Sequence, residues 1–256
     1  LFLLLAGHES WPWLTLILMS VPALSAILFA GSDIPHMDTP EKATGALKLL
    51  KNKGLWLCVL AIFLGGSAEC TMAQWCSGYI EQALGIPKVW GDIFGVAMFA
   101  VMLGLGRSLY AKYGKGIEKV LFLGAVGATV CYLTAAVSSV AILGLVACAL
   151  TGFCTSMLWP GNLVLATDRF PTGGVFIFAM MAAGGDLGAS VAPQLIGAVT
   201  DIALKHPKIL TLAQTLSLSP EQISLKLGMF VGLIFPLIAI PFYIHMYRTR
   251  KNVQNS

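Results

Sequence analysis

The chain has 256 residues, of which 57% are hydrophobic and only 11% are charged, whereas soluble domains have roughly 45–50% and about 25%. This composition excludes disordered, fibrous and nucleic-acid-binding proteins and indicates a membrane protein. The formal net charge of +4 lies in loops, so it reports on topology and on contact with anionic lipid rather than on a polyanionic partner.

Seven apolar runs are each long enough to cross a bilayer, which takes about 20 mostly apolar residues. A shorter apolar stretch, Leu1–Ala6, precedes them without a basic flank, and we interpret it as the tail of an earlier span rather than as a signal peptide. The pattern predicts an all-α fold, a polytopic transmembrane helix bundle of about seven spans. In chain order the predicted spans are Trp13–Ala30, Leu55–Tyr79, Ile93–Ala111, Val120–Val137, Val140–Thr167, Val175–Thr200 and Leu227–Tyr247.

The sixteen Lys and Arg residues are divided unequally between alternate loops. Because basic loops stay on the cytoplasmic side, this division predicts a cell-membrane protein whose central loop and C-terminus are cytoplasmic. Four basic residues fall on the outer side: Lys88, Lys205, Lys208 and Lys226. Twelve fall on the inner side: Lys42, Lys48, Lys51, Lys53, Arg107, Lys112, Lys115, Lys119, Arg169, Arg248, Arg250 and Lys251.

Three local patterns predict where helices begin. Thr39-Pro40 reads as the N-cap and first residue of a short helix on the cytoplasmic face before the second span. Ser219-Pro220-Glu221-Gln222 matches a capping box that opens the last span. Asp92, just before the apolar run that starts at Ile93, is expected to cap the first turn of that helix.

Two acidic residues interrupt the apolar runs, and each costs about 2.5–3.5 kcal/mol in hydrocarbon, so each should face protein or a water-filled cavity. Glu69 follows Gly65-Gly66, and we find no basic residue in the spans to pair with it. The two glycines either unwind the helix locally, as in broken-helix transporter sites, or allow close helix packing. Asp186 shares a helical stripe with Ser190 and Gln194, at four-residue steps.

A third polar stripe runs through the fifth span, where Thr151, Thr155, Trp159 and Asn162 recur at spacings of four, four and three. Pro160 should bend the helix at that depth. An amide and an indole together suit a hydroxyl-rich ligand, although Thr and Asn also bond between helices without any ligand. Both interpretations stay open.

Nothing in the sequence points to a metal, a cofactor or a catalytic site. The six cysteines lie inside apolar runs without a CxxC pair, and the four histidines lie in loops or at span edges, so we expect no disulfide, metal or cofactor. There is no HExxH or GxSxG motif, and the sequence does not show that Glu69 and Asp186 face one another. We therefore expect that the protein is not an enzyme.

Several stretches resemble the C-terminal half of a major facilitator superfamily transporter. Gly104-Leu105-Gly106-Arg107 through Lys112-Tyr113-Gly114-Lys115 resembles, without its usual aspartate, the glycine-rich basic loop between the second and third helices of each half. Asp168-Arg169-Phe170-Pro171, followed by the run at 188–197, resembles the fifth helix of that half. The pattern Glu69…Gln74-Trp75 is similar to the fucose-permease-type sugar:proton symporters.

This resemblance implies a secondary transporter that works by alternating access between two six-helix halves. Residues 1–30 would end the N-terminal half, 31–53 would form the cytoplasmic central loop, 54–251 the C-terminal six-helix bundle and 252–256 a cytoplasmic tail. The chain would then be a fragment that lacks the rest of the N-terminal half and does not transport alone.

The implied cargo is a small polar solute, a sugar carried with a proton across the lipid bilayer. The implied substrate-binding residues are Glu69, Gln74, Trp75, Trp159, Asn162 and Asp186, with Glu69 also coupling the proton. An efflux carrier of drugs or metabolites and a non-transporting membrane receptor of the same fold are the alternatives.

Overall fold

The computed structural model describes the backbone of residues 10–33 and 45–254 and the side chains of residues 10–33 and 45–249. The chain divides into two compact units, residues 1–41 and 42–256. In the first unit a single described helix, α1, spans Trp11–Ala30, with a proline in its first turn and Pro22 inside it. Leu1–Ala6 and the expected cap at Thr39-Pro40 lie outside the described residues.

The second unit is a helical bundle, and no strand occurs in the part of the chain that the structure describes. Its helices are α2 (Ala46–Leu50), α3 (Lys53–Gln82), α4 (Lys88–Tyr113), α5 (Ile117–Val137), α6 (Ala141–Thr155), α7 (Pro160–Arg169), α8 (Gly174–Leu204), α9 (Pro207–Leu216) and α10 (Pro220–Gln254).

Seven helical segments among the described residues are long and apolar enough to cross a membrane. They are α1, α3, α4, α5, the pair α6–α7 from Ala141 to Arg169, α8, and α10 from Pro220 to Thr249. The predicted fold class and the positions of the predicted spans are confirmed. The chain is a multi-pass membrane protein.

The inside of the bundle contains many small residues beside larger ones such as Leu55 and Tyr79, and many large apolar residues lie on the outside. Alanines at many inward positions are fully buried, whereas residues such as Ile142, Leu123 and Val175 expose more than half of their surface. Lipid tails solvate large aliphatic side chains, so membrane helices associate through close packing of small residues rather than through hydrophobic burial. This arrangement brings helix backbones close together in the middle of the bundle.

Glycines make the closest contact, between α3 and α8. A Cβ atom on Gly66 would lie 2.6 Å from the carbonyl oxygen of Gly185, and one on Gly188 would lie 2.1 Å from the carbonyl oxygen of Phe63. The Ser67 hydroxyl donates a hydrogen bond across this contact to the Gly188 carbonyl oxygen at 3.3 Å. Because α3 is a continuous helix through its glycines, the structure favours close packing over local unwinding.

The start of α4 differs from the prediction. The helix begins at Lys88, after Pro87 at its N-cap, so Asp92 lies inside it and does not cap it. Residues Asp92–Ala97 form a π-helical segment without a side-chain cap, and the Asp92 carboxylate accepts a hydrogen bond from the Ser77 hydroxyl of α3. Pro87 starts the helix because its fixed φ suits a helix entrance.

A short helix before the second span is present as α2, which begins at Ala46, while the start predicted at Thr39-Pro40 lies outside the described residues. The predicted start of α10 is confirmed. At the entrance to α10, the Ser219 backbone N–H donates to Gln222 Oε1 at 2.9 Å, and the Gln222 N–H donates to Ser219 Oγ at 3.2 Å. This reciprocal pair is the predicted capping box.

Candidate functional site

The fifth predicted span is interrupted in the middle of the bundle. Helix α6 ends at Thr155 and α7 begins at Pro160, with turn residues between them, so the helix is interrupted where the bend was expected. Because a proline has no N–H to donate, Pro160 leaves the Ser156 carbonyl oxygen, four residues earlier, without its intrahelical partner. A polar backbone group of the buried Ser156 thereby needs another partner within the protein.

The interrupted segment packs against glycines of two other helices. A Cβ atom on Gly65 of α3 would lie 2.6 Å from the Leu158 carbonyl oxygen, and one on Gly185 of α8 would lie 2.2 Å from Trp159 Nε1. At Gly65 only glycine permits the approach, since the neighbouring atom is backbone, whereas at Gly185 any Cβ atom would require the Trp159 ring to move. The break therefore lies where α3 and α8 meet.

Arg107 of α4 binds the carbonyl that the proline leaves free. Its Nε donates a hydrogen bond to the Ser156 carbonyl oxygen at 3.0 Å. Gly106 makes this approach possible, because a Cβ atom there would lie 2.3 Å from Ser156 Oγ. The Gly106-Arg107 pair thus connects α4 to the break between α6 and α7.

The same guanidinium forms an ion pair with Glu69. Arg107 Nη2 lies 3.0 Å from Glu69 Oε1, so the expectation that Glu69 has no basic partner is wrong. The basic-residue count assigns Arg107 to the cytoplasmic side although it lies inside the predicted span Ile93–Ala111, and α4 continues as a regular helix to Tyr113. The Arg side chain then reaches back along the bundle to α3.

Both members of the ion pair keep hydrogen-bonding capacity. Glu69 Oε2 is buried and has no hydrogen-bond partner, and Arg107 Nη1 makes no hydrogen bond to another described residue. The Glu69 side chain is 16% exposed, whereas the Arg107 side chain is 44% exposed. Part of the Arg107 side chain is therefore accessible beside a carboxylate that is not fully satisfied.

Asn162 lies deeper than the ion pair, at 1% exposure. Its side-chain nitrogen donates to Tyr243 Oη at 2.8 Å and to the Leu158 and Ala61 carbonyl oxygens at 2.5 and 3.4 Å. Its Oδ1 is buried without a partner. The amide connects α7, α3 and α10 and offers only Oδ1 for any further contact.

The two tryptophans of the predicted site are partly buried, and each contacts α8. Trp75 Nε1 donates to the Pro193 carbonyl oxygen at 3.1 Å, whereas the Trp159 ring lies against Gly185. Gln74 on α3 is exposed. Trp159 therefore lies in the interrupted segment, against Gly185 of α8, whereas Trp75 and Gln74 lie further along α3 than Glu69.

The stripe on α8 is exposed as a set: Asp186, Ser190 and Gln194 all present their side chains on the outside of the unit. The Ser190 hydroxyl donates to the Asp186 backbone oxygen at 2.8 Å. In contrast, Thr151 and Thr155 are fully buried and bond to carbonyls of their own helix.

Arg107 is the residue of this site that sequence reasoning missed as a partner. The available signal was a basic residue directly after a glycine inside an apolar run. No group of three or more His, Cys, Asp or Glu side chains is placed to hold a metal ion within the described ranges.

The comparison with protein families gives one finding. The family model described as Major Facilitator Superfamily matches residues 1–193 of the 256-residue chain. Neither a curated protein nor a solved structure matches the chain.

Proposed function

Because the chain belongs to the major facilitator superfamily, whose members are transporters, we propose that it forms one wall of a proton-coupled carrier for a small polar solute. In this proposal the polar groups on α3, α4 and α8 line a pathway between two helical halves that open alternately to each side. Residues 54–251 supply one half, and a further N-terminal segment supplies the other.

The observation that carries the proposal is the ion pair between Glu69 and Arg107. A charged side chain in a membrane span is expensive unless it is paired or in contact with water, and this pair leaves one carboxylate oxygen without a partner and half of the arginine exposed. A purely structural ion pair would be expected to satisfy its remaining groups within the bundle. Open groups of this kind support a role in binding.

The roles in this proposal follow the accessibility of each side chain. Glu69 carries the proton, and Gln74 and Asp186 contact the solute from exposed positions on α3 and α8. Trp159 offers an apolar ring beside the break. Asn162 contributes only its Oδ1, since the two N–H groups of its amide are shared among three acceptors.

Trp75 completes the proposed set by holding α3 against α8 through its bond to Pro193. The proposal that the solute is a sugar rests on the amide and aromatic side chains of this set, which together suit hydroxyl-rich solutes. The orientation in the cell membrane, with the central loop and the C-terminus in the cytoplasm, rests on the unequal distribution of basic residues.

The test replaces Glu69 by Gln in the complete protein, reconstituted into proteoliposomes with an imposed pH gradient. Solute counterflow identifies a carried sugar, and its accumulation is then measured with and without the gradient. We expect Glu69→Gln to abolish proton-driven accumulation while it leaves membrane insertion intact. The matched control is Glu81→Gln, because that carboxylate is exposed and only loosely paired with Lys88 at 3.8 Å.

Two results would contradict the proposal. Accumulation by Glu69→Gln that still follows the pH gradient would remove this residue from proton coupling. If the wild-type protein binds solutes but shows no counterflow of any of them, the fold serves as a receptor rather than as a carrier.

A further inference from the structure

The charge environment of the ion pair is simple. The segment from Ala141 to Thr167 contains no Asp, Glu, Lys or Arg, and neither does the part of α10 from Leu227 to Tyr247. On α8, the neighbour of α3, the one acidic or basic side chain between Gly174 and Thr200 is the exposed Asp186. Glu69 and Arg107 therefore depend on one another for charge compensation.

We propose that the carried solute bears a carboxylate, which binds Arg107 in place of Glu69 while Glu69 takes up a proton. This inference rests on the proposed transport function and narrows its substrate class from polar solutes in general to organic acids. A sugar acid belongs to this class, whereas a neutral sugar does not.

The geometry of the guanidinium supports an acid as its ligand. Its Nε is held by the Ser156 carbonyl oxygen at 3.0 Å, and this bond does not involve Glu69. The Arg107 guanidinium therefore stays in place when its ion pair with Glu69 is broken. The edge formed by Nη1 and Nη2 is then free, and this edge matches the two oxygens of a carboxylate in a bidentate pair.

A neutral solute does not account for the arginine. Hydroxyl groups need hydrogen-bond donors and acceptors, which Gln74 and Trp159 can supply without a fixed positive charge. Placing a guanidinium at this depth carries a desolvation cost. An acidic solute that binds the Arg107 guanidinium directly explains why a positive charge is present there.

Charge balance then couples the solute to the proton. Apart from the exposed Asp186 on α8, which takes no part in the exchange, the Glu69 carboxylate and the Arg107 guanidinium of the empty site sum to zero. In the loaded site Glu69 is neutral, and the solute carboxylate compensates Arg107, so the sum is again zero. Binding of the acid alone leaves a net negative charge and protonation alone a net positive charge, and uncompensated charge is costly in a low-dielectric interior. Each carboxylate therefore moves with one proton, without net charge movement.

The experiment uses matched pairs of probes that differ only in the acid group. Gluconate is compared with sorbitol, and lactate with propane-1,2-diol, as labelled substrates for counterflow in proteoliposomes that contain the complete protein. Uptake is then driven either by a pH gradient or by a potassium–valinomycin potential. We expect at least tenfold faster counterflow of an acid than of its neutral partner, and net uptake that follows the pH gradient but not the electrical potential.

The variants separate the charge from the shape of the cation. We expect Arg107→Gln to abolish counterflow of the acid, whereas Arg107→Lys, which keeps the charge but loses the fork, retains part of it. Because Arg107→Gln leaves Glu69 uncompensated, the double variant Arg107→Gln/Glu69→Gln is the control for folding. It should insert normally and still fail to exchange the acid. Glu69→Gln alone should exchange the acid but not accumulate it.

Each remaining result has a defined meaning. Equal counterflow of an acid and its neutral partner, no counterflow of either acid, acid uptake that charges the membrane, or wild-type acid counterflow in Arg107→Gln would each overturn the inference. Proton-driven uptake of sorbitol without gluconate would overturn it as well, yet would leave the proposed transport function intact. The absence of counterflow for every sugar, polyol and acid would overturn both.

Discussion

The glycine contact between α3 and α8 sets the distance between two walls of the candidate site, and it can be tested by substituting Ala for Gly188. A Cβ atom there would lie 2.1 Å from the Phe63 carbonyl oxygen, which belongs to a rigid helix backbone and cannot rotate away. The helices must separate by about 1 Å to restore an ordinary contact. Overpacking of this kind costs about 1–3 kcal/mol.

Two further effects modify that cost. The hydrogen bond from Ser67 to the Gly188 carbonyl oxygen is 3.3 Å long, so separating the helices breaks it, at about 1 kcal/mol. Ala in place of Gly in a helix returns about 0.5–1 kcal/mol. We therefore expect Gly188→Ala to lower the free energy of unfolding by about 1–3 kcal/mol.

The assay is thermal unfolding of the purified complete protein, followed by the reaction of its buried cysteines with a thiol-sensitive dye. Cys58, Cys76 and Cys148 are buried and become reactive as the bundle opens. The matched control is Gly78→Ala on α3, where an added Cβ atom meets nothing within 4 Å and helix propensity alone should raise stability. Equal or higher stability of Gly188→Ala would refute the packing argument.

Three further predictions follow from the contacts of single residues. Pro160→Ala supplies an N–H for the Ser156 carbonyl oxygen, which competes with Arg107, so we expect unchanged or higher thermal stability but slower solute counterflow. Ser219→Ala removes one half of the capping box and should lower the free energy of unfolding by about 1 kcal/mol, measured by the same thermal assay; an unchanged melting temperature would show that the cap adds nothing. The 256-residue chain by itself, reconstituted into liposomes, should show no solute uptake, since it supplies one wall of the proposed pathway, and measurable uptake would contradict the two-half arrangement.

Local patterns predicted the elements well where a single residue type dictates the backbone. Pro160 interrupts the fifth span because it cannot donate to the Ser156 carbonyl, and the capping box at Ser219 uses only neighbouring residues. The same reasoning failed at Asp92, since a cap residue is also free to bond across to another helix. Ser77, fifteen residues earlier in the chain, offered the competing partner.

The sequence by itself determined that this protein is a bundle of membrane-spanning helices, because the length of an apolar run and the cost of unpaired backbone groups in lipid leave few alternatives. It also identified Glu69 as an unusual residue, since a carboxylate within an apolar span is costly unless it is paired or in contact with water. Only the tertiary structure decided that Arg107 meets it. That contact joins residues 38 positions apart in the chain. It depends on the close approach of helices at Gly106 and on the free Ser156 carbonyl oxygen, and no periodic pattern in the sequence marks either of them.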